Sequence, residues 1–219
     1  VNPDSSKEGM AAYPAQVFID EEPMTQVASQ AEVSSGKFYI DTVAKKIVIG
    51  SNPTGKTIEA SDSPRGLTVA TSGSFNLLGI NFAQYSPQQA FAKSGQPYNV
   101  GPSQIYIDSV SSSLIENSVI VQSANGGIAF GSSNNVTIKN TNFYDNGGGV
   151  LAINQSSNIV ITDNKFERGN AAGFNVDSCG SYCTVGNLKI THSENINIKN
   201  NLFTDTNSVG IWCDEGCIN

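Results

Sequence analysis

One apolar repeat constrains the fold of this chain more than any other feature. Ile115, Ile138, Ile161 and Ile198 follow one another in steps of 23, 23 and 37 along the chain. Ile120, Phe143, Phe166 and Phe203 keep the same steps. A third column reads Ile128, Leu151, Phe174 and Ile211, and a fourth Phe130, Ile153, Val176 and Cys213. Four columns in one register define a repeating unit that stacks on copies of itself. The long step is one unit plus an insertion of 14 residues. Because both flanks keep register, this reading puts the insertion between Val176 and Ile198, at about 178–192, around Cys179 and Cys183. Leu77 to Ile115 and Phe82 to Ile120 both step by 38, so an earlier unit carries a second insertion at about 83–104.

Within a unit the apolar residues alternate, as in Val136-Thr-Ile138 and Ile128-Ala-Phe130. Period two belongs to strands. Asn140, Asp163 and Asn200 share one column between strands, and these residue types tolerate the left-handed backbone of tight turns. The Leu-x-x-Leu-x-Leu pattern of leucine-rich repeats is absent. The expected fold is all-β: a right-handed parallel β-helix, its handedness following the rule for parallel crossovers, with one continuous core.

The beginning of the chain reads differently. Gln16 to Asp20 alternates. Gly36–Asp41 followed by Lys46–Gly50 reads as a β-hairpin, and Thr57–Ala60 and Leu67–Ala70 as further strands. Residues 1–65 are therefore expected to form an N-terminal β entry region packed on the solenoid, and 66–219 its coils.

Charge narrows the partners. Twelve Lys and Arg stand against 19 Asp and Glu, a net charge of -7. This argues against nucleic acid and against anionic membrane surfaces. No apolar run reaches membrane-spanning length, and Val1 to Gly9 lack the apolar stretch of a signal peptide. An exported chain of this kind has already lost its signal. The four cysteines, Cys179, Cys183, Cys213 and Cys217, form two Cys-x3-Cys pairs, and His192 is the single histidine. This spacing favours two disulfides in an oxidising compartment over zinc. Of the three connectivities, the local pairs Cys179–Cys183 and Cys213–Cys217 come first.

The run Gly36-Lys-Phe-Tyr-Ile-Asp-Thr-Val-Ala-Lys-Lys-Ile-Val-Ile-Gly-Ser-Asn-Pro53 resembles the lead-in of large bacterial right-handed β-helix repeat proteins. The stretches Asn195-Ile-Asn-Ile-Lys-Asn-Asn-Leu-Phe203 and Gly210-Ile-Trp-Cys-Asp-Glu-Gly-Cys217 resemble their later coils. That architecture includes pectate and alginate lyases, uronan epimerases, polygalacturonase-like hydrolases and phage tailspikes. The resemblance implies a secreted or cell-surface protein whose partner is a polysaccharide, without fixing the reaction. Coils of such proteins continue past the point where this chain stops. The expectation is therefore a fragment, or a chain whose open solenoid end is capped by a second chain or copy.

Outward positions beside the inward columns carry the candidate chemistry. In this register they are Ala129, Ala152, Asn175 and Trp212, then Gly131, Asn154, Asp177 and Asp214. Both series turn larger and more polar toward the end. Coils lie roughly 4.8 Å apart, so Asp177 and Asp214 are expected side by side, as a catalytic pair or as ligands of a cation such as Ca2+. Glu215 is a third candidate acid. Asn154, Asn175 and Trp212 are candidate sugar contacts. A lyase or epimerase also needs a base and a cation beside the uronate carboxylate, for which Lys165, Arg168, Lys189 and His192 are the nearby residues. Each has a plain structural alternative: an Asp ending a strand, a Trp covered by the next coil, an Arg or His in a solvated turn.

Two functions follow. One is an extracellular enzyme acting on an acidic polysaccharide as lyase, hydrolase or epimerase. The other is a non-catalytic carbohydrate-binding or adhesin segment that assembles end to end with another chain.

Overall fold

The computed structural model describes Met10, Tyr13 and residues 15–87, 102–174 and 186–218. The coils form three parallel sheets, one strand of each per turn of the chain. The first sheet runs through Leu67–Ala70, Ser103–Asp108, Gly126–Gly131, Leu151–Asn154, Leu188–Thr191 and Ile211–Cys213. The second contains Ser74–Leu78, Ser112–Glu116, Asn134–Lys139, Ser157–Thr162 and Glu194–Lys199. The third contains Asn81–Ala83, Val119–Val121, Asn142–Tyr144, Lys165–Glu167 and Leu202–Thr204. This is the parallel β-helix that the repeat predicts.

The inward columns pack as one core. Ile105, Ile115, Ile128, Phe130, Ile138, Phe143, Ile161 and Phe166 have no exposed surface. Phe143, Phe166 and Phe203 stack in line, with successive ring centroids 4.7 Å apart. The turns follow the same period. Asn117, Asn140, Asp163 and Asn200 take positive φ, as do Ser109, Ser132, Gln155 and His192 at another corner. Asn and Asp enter this region at low cost, whereas a β-branched residue there would be strained. Buried side chains link coil to coil. Ser133 N–H donates to Ser156 Oγ at 3.0 Å, and Ser156 N–H to Ser193 Oγ at 3.1 Å.

The second and third sheets hold the expected register, including Leu77 beside Ile115 and Phe82 beside Ile120. The first sheet corrects the sequence reading. Leu188, not Phe174, pairs with Leu151 and Ile211, and Ile190, not Val176, lies between Ile153 and Cys213. The second insertion therefore lies between Asn170 and Gly186. Residues 188–191, expected inside it, form a core strand. The earlier insertion likewise ends sooner than expected, because Ser103 and Gln104 open a strand. Both insertions leave at one corner, between the third sheet and the first. In the uninterrupted coil that corner is glycine-rich and tight: a Cβ on Gly147 would fall 2.1 Å from the Ala124 carbonyl oxygen.

Before the coils, Val17–Ile19 pairs antiparallel with Glu22–Pro23 and Ile58–Ala60. Lys37–Asp41 forms the expected hairpin with Lys46–Ile49. Val17, Met24 and Phe38 make a small separate core. Ser61 Oγ donates to the Gln84 carbonyl at 2.6 Å, and Gln16 Nε2 to the Gln122 carbonyl at 3.1 Å, tying this region to the coils.

Candidate functional site

The corrected register places Lys189 on the outward side of the first sheet, between Ala152 and Trp212. The full outward series is Thr68, Tyr106, Ala129, Ala152, Lys189 and Trp212. It runs from small residues mid-sheet to a cation and an indole at the last two rungs. Ala129 and Ala152 are buried although they point away from the core. The Lys189 side chain is only 7% exposed. Its ammonium lies 4.0 Å from the centroid of the Trp212 ring and 3.0 Å from Asp214 Oδ2. A buried ammonium needs such partners, because its desolvation is otherwise costly.

Asp214 is held from several sides. Its backbone N–H donates to the Ile190 carbonyl at 2.9 Å, and its Oδ1 accepts from the Glu215 N–H at 2.9 Å. The hydrogen bond from Lys189, helped by that from the Glu215 N–H, holds its carboxyl below the usual carboxylate range, against partial burial. Asp214 is thus an ionised acceptor and not a proton donor near neutrality. His192 Nε2 lies 3.6 Å from Glu215 Oε2, and the His192 N–H donates to the Glu215 carbonyl at 2.6 Å. The Cys213–Cys217 disulfide, with Cα atoms 6.0 Å apart, closes the loop that carries Asp214 and Glu215.

The structure therefore brings together Trp212, Asp214, Glu215 and His192, and adds Lys189. The register assigns to other residues the places that the sequence reading gave to Asn175 and Asp177. The position next to Asn154 that the sequence reading gave to Asp177 is filled by Thr191, whose hydroxyl donates to Asn154 Oδ1 at 2.9 Å. The position given to Asn175 is filled by Lys189. Asn175, Asp177, Cys179 and Cys183 lie outside the described residues. The missed signal was in the sequence: Leu188 and Ile190 stand one repeat unit before Ile211 and Cys213, with the same alternation.

Arg168 sits elsewhere, at the corner after the third sheet. Its Nε and Nη2 reach the two oxygens of Asp145, one coil back, at 2.6 and 2.9 Å. It also pairs with Glu167, which Lys165 meets from the other side. The Asp145 fork pushes the guanidinium further above its ordinary range, so Arg168 stays charged at every accessible pH. Among the described residues no cluster of three or more His, Cys, Asp or Glu side chains is arranged for a metal ion.

A right-handed β-helix family model matches residues 93–219, and the chain belongs to that family. No curated protein matches it. Among solved structures, the complex of XylC with xylose is similar at 13% identity and a TM-score of 0.67. The alignment covers 93% of this chain and 42% of that one, so the chain spans less than half of the matched protein. A candidate glycosyl hydrolase from Parabacteroides merdae ATCC 43184 aligns at 18% identity over 47% of this chain and 40% of that chain, with a TM-score of 0.37. The first likeness concerns the fold; the second is too distant in shape to carry an argument.

Proposed function

We propose that the chain is part of an extracellular polysaccharide-active β-helix protein, with its site on the last two rungs of the first sheet. The observation that carries this reading is the buried Lys189 ammonium, fixed between Trp212 and Asp214. An oriented cation beside an indole suits a carboxylated sugar ring: the ring stacks and the carboxylate meets the charge. In a lyase, Lys189, shared with Asp214, would stabilise the uronate carboxylate while His192 or Glu215 takes the proton from the adjacent carbon, the C–O bond one carbon further on breaks, and the departing sugar oxygen takes up that proton; in an epimerase the proton returns to the same carbon from the other face. Asp214, already ionised, orients Lys189. The Cys213–Cys217 disulfide supports export. On this reading residues 1–65 form an N-terminal β entry region packed on the solenoid and 66–219 its coils. A Ca2+ at Asp214 would compete with Lys189 for the same carboxylate and would need further oxygen ligands.

The test measures binding and turnover of uronate and neutral oligosaccharides by the intact protein and by Lys189→Met, Trp212→Ala and His192→Ala. The reading expects uronates to bind, Lys189→Met and Trp212→Ala to weaken binding at least tenfold, and His192→Ala to reduce formation of the unsaturated product with little change in affinity. Unchanged binding by Lys189→Met would remove the site.

A second reading is a non-catalytic segment that stacks on another polypeptide: Leu202, Val209, Ile211 and Ile218 expose apolar surface at the last described rung, which any further coil, of the same or another polypeptide, would cover. Uronate binding without turnover, together with self-association that Ile211→Lys abolishes, is the outcome it expects.

A further inference from the structure

One cavity lies far from the last rungs. It sits at the other end, between the N-terminal hairpin region and the first coil, with a volume of about 830 Å³. That is within the size range of small-ligand sites. Tyr13, Gln26, Tyr39, Asp62 and Arg65 are among the residues that line it. Gln26 Oε1 is buried and accepts no hydrogen bond. A buried acceptor without a donor is costly, and a ligand hydroxyl in the cavity would supply that donor.

Arg65 is the cation of the pocket, and Asp62 is its carboxylate. The Arg65 guanidinium packs over the Tyr106 ring, 5.0 Å from the centroid, which holds the planar group in place. Among the described residues it forms no ion pair with a carboxylate. Its planar N–H donors suit a bidentate carboxylate. Tyr13 and Tyr39 offer rings against which a sugar face can pack, and Asp62 accepts from hydroxyls.

We infer that this pocket binds a small sugar acid, its carboxylate on Arg65 and a hydroxyl donating to Gln26 Oε1. The pocket is separate from the last rungs and does not depend on any reaction there. Tyr106, beside the pocket, and Trp212 belong to the same outward series, four rungs apart along the first sheet. The site is therefore a second one along the same solenoid, occupied by a free sugar acid or by the acidic end of a chain.

The experiment titrates the intact protein calorimetrically with glucuronate, digalacturonate and neutral xylobiose, in the Lys189→Met/Trp212→Ala background so that only the N-terminal pocket is read. Saturable one-to-one binding of an acidic sugar is expected, weakened about tenfold or more by Arg65→Gln and by Gln26→Leu. Arg65 is exposed, so Arg65→Gln should melt like the parent, separating a lost contact from a lost fold. Glucuronate binding as tightly as digalacturonate identifies a site for single units; a clear preference for digalacturonate identifies a chain-end site. No saturable binding, equal binding of xylobiose, or an Arg65→Gln variant that binds normally would overturn the inference. If the site on the last rungs fails its own test while this titration succeeds, the pocket stands alone.

Discussion

The middle coils and the last coil use the same residue types, yet they are not buried alike. Phe143 and Phe166 have no exposed surface, whereas Phe203, stacked on Phe166 at the same 4.7 Å, is only partly buried. Leu151 is fully buried; Ile211, in its column, is 45% exposed. In a solenoid each rung touches only its neighbours, so burial depends on having a rung on both sides and not on residue type. In residues 1–219 taken alone, stability should therefore fall toward the last coil even where the sequence repeats faithfully.

The sharpest way to break this comparison is to truncate one ring in each place. Phe166→Ala should cost about 3–5 kcal/mol, the usual range for a buried aromatic that leaves a cavity. Phe203→Ala should cost less than half as much, because solvent already reaches that ring and the site can relax. Denaturant unfolding of the two variants checks this. Equal losses would mean that the last coil is as tightly held as the middle.

Polar ladders give the next contrast. Asn164 is 3% exposed; its Oδ1 accepts from the Thr141 N–H at 3.0 Å, and its Nδ2 donates to the Ile138 carbonyl at 2.9 Å. Asn201, one coil on, donates to the Ile161 carbonyl at 2.7 Å but is partly open to solvent. Asn164→Ala should cost about 2–3 kcal/mol, because it strands buried backbone groups, and Asn201→Ala about 1 kcal/mol. Thermal melts of both variants supply the numbers.

The same contrast explains what could be read from the sequence. Inward columns in the second and third sheets were legible, because apolar spacing is imposed by the core and repeats every coil. The hairpin at Lys37–Asp41 and Lys46–Ile49 was legible from its alternation. The insertion's position was not, because Phe174 and Val176 also satisfy an apolar column and either choice preserves the register on both flanks. The error moved one rung of one sheet, yet it decided which outward residues stand beside Trp212 and Asn154, since outward residues are assigned only through their inward neighbours. Asp177 was set beside Asp214 on that basis, while Lys189 holds the adjoining place against Trp212. Trp212 and Asp214 keep the places the sequence reading gave them on the last rung, because their own column, through Ile211 and Cys213, was correct.

At the boundary between the two regions stands Lys189. It belongs to a rung with neighbours on both sides, while its partners Trp212 and Asp214 lie on the last. Lys189→Met keeps the stem against the indole and removes the charge. The Asp214 side chain is partly exposed and can turn to water. The stability loss should therefore be only about 1 kcal/mol. The loss in uronate affinity should be larger, and calorimetry beside a thermal melt separates the two effects. A large melting change with intact affinity would make the pair structural.

The smallest effect is a pH dependence confined to the last coil. The Asp214 carboxyl is depressed in the folded protein, chiefly by Lys189 and then by the Glu215 N–H. The unfolded chain therefore takes up a proton at this residue at higher pH than the folded one. The pair's contribution is complete above the ordinary aspartate value of about 3.9, and it declines as pH falls from there through the depressed folded value. Asp214→Asn removes this titration and should flatten the acid limb of the melting curve below about pH 4, with a roughly constant offset above it. Trp212 is the chain's single tryptophan and sits on the last rung. Because the pair bridges the last two rungs only, the flattening should appear in signals from Trp212, and much less in global unfolding. An acid limb identical in parent and variant would show that the last rung has already released Asp214 before it protonates, making the difference between middle and end larger than burial alone implies.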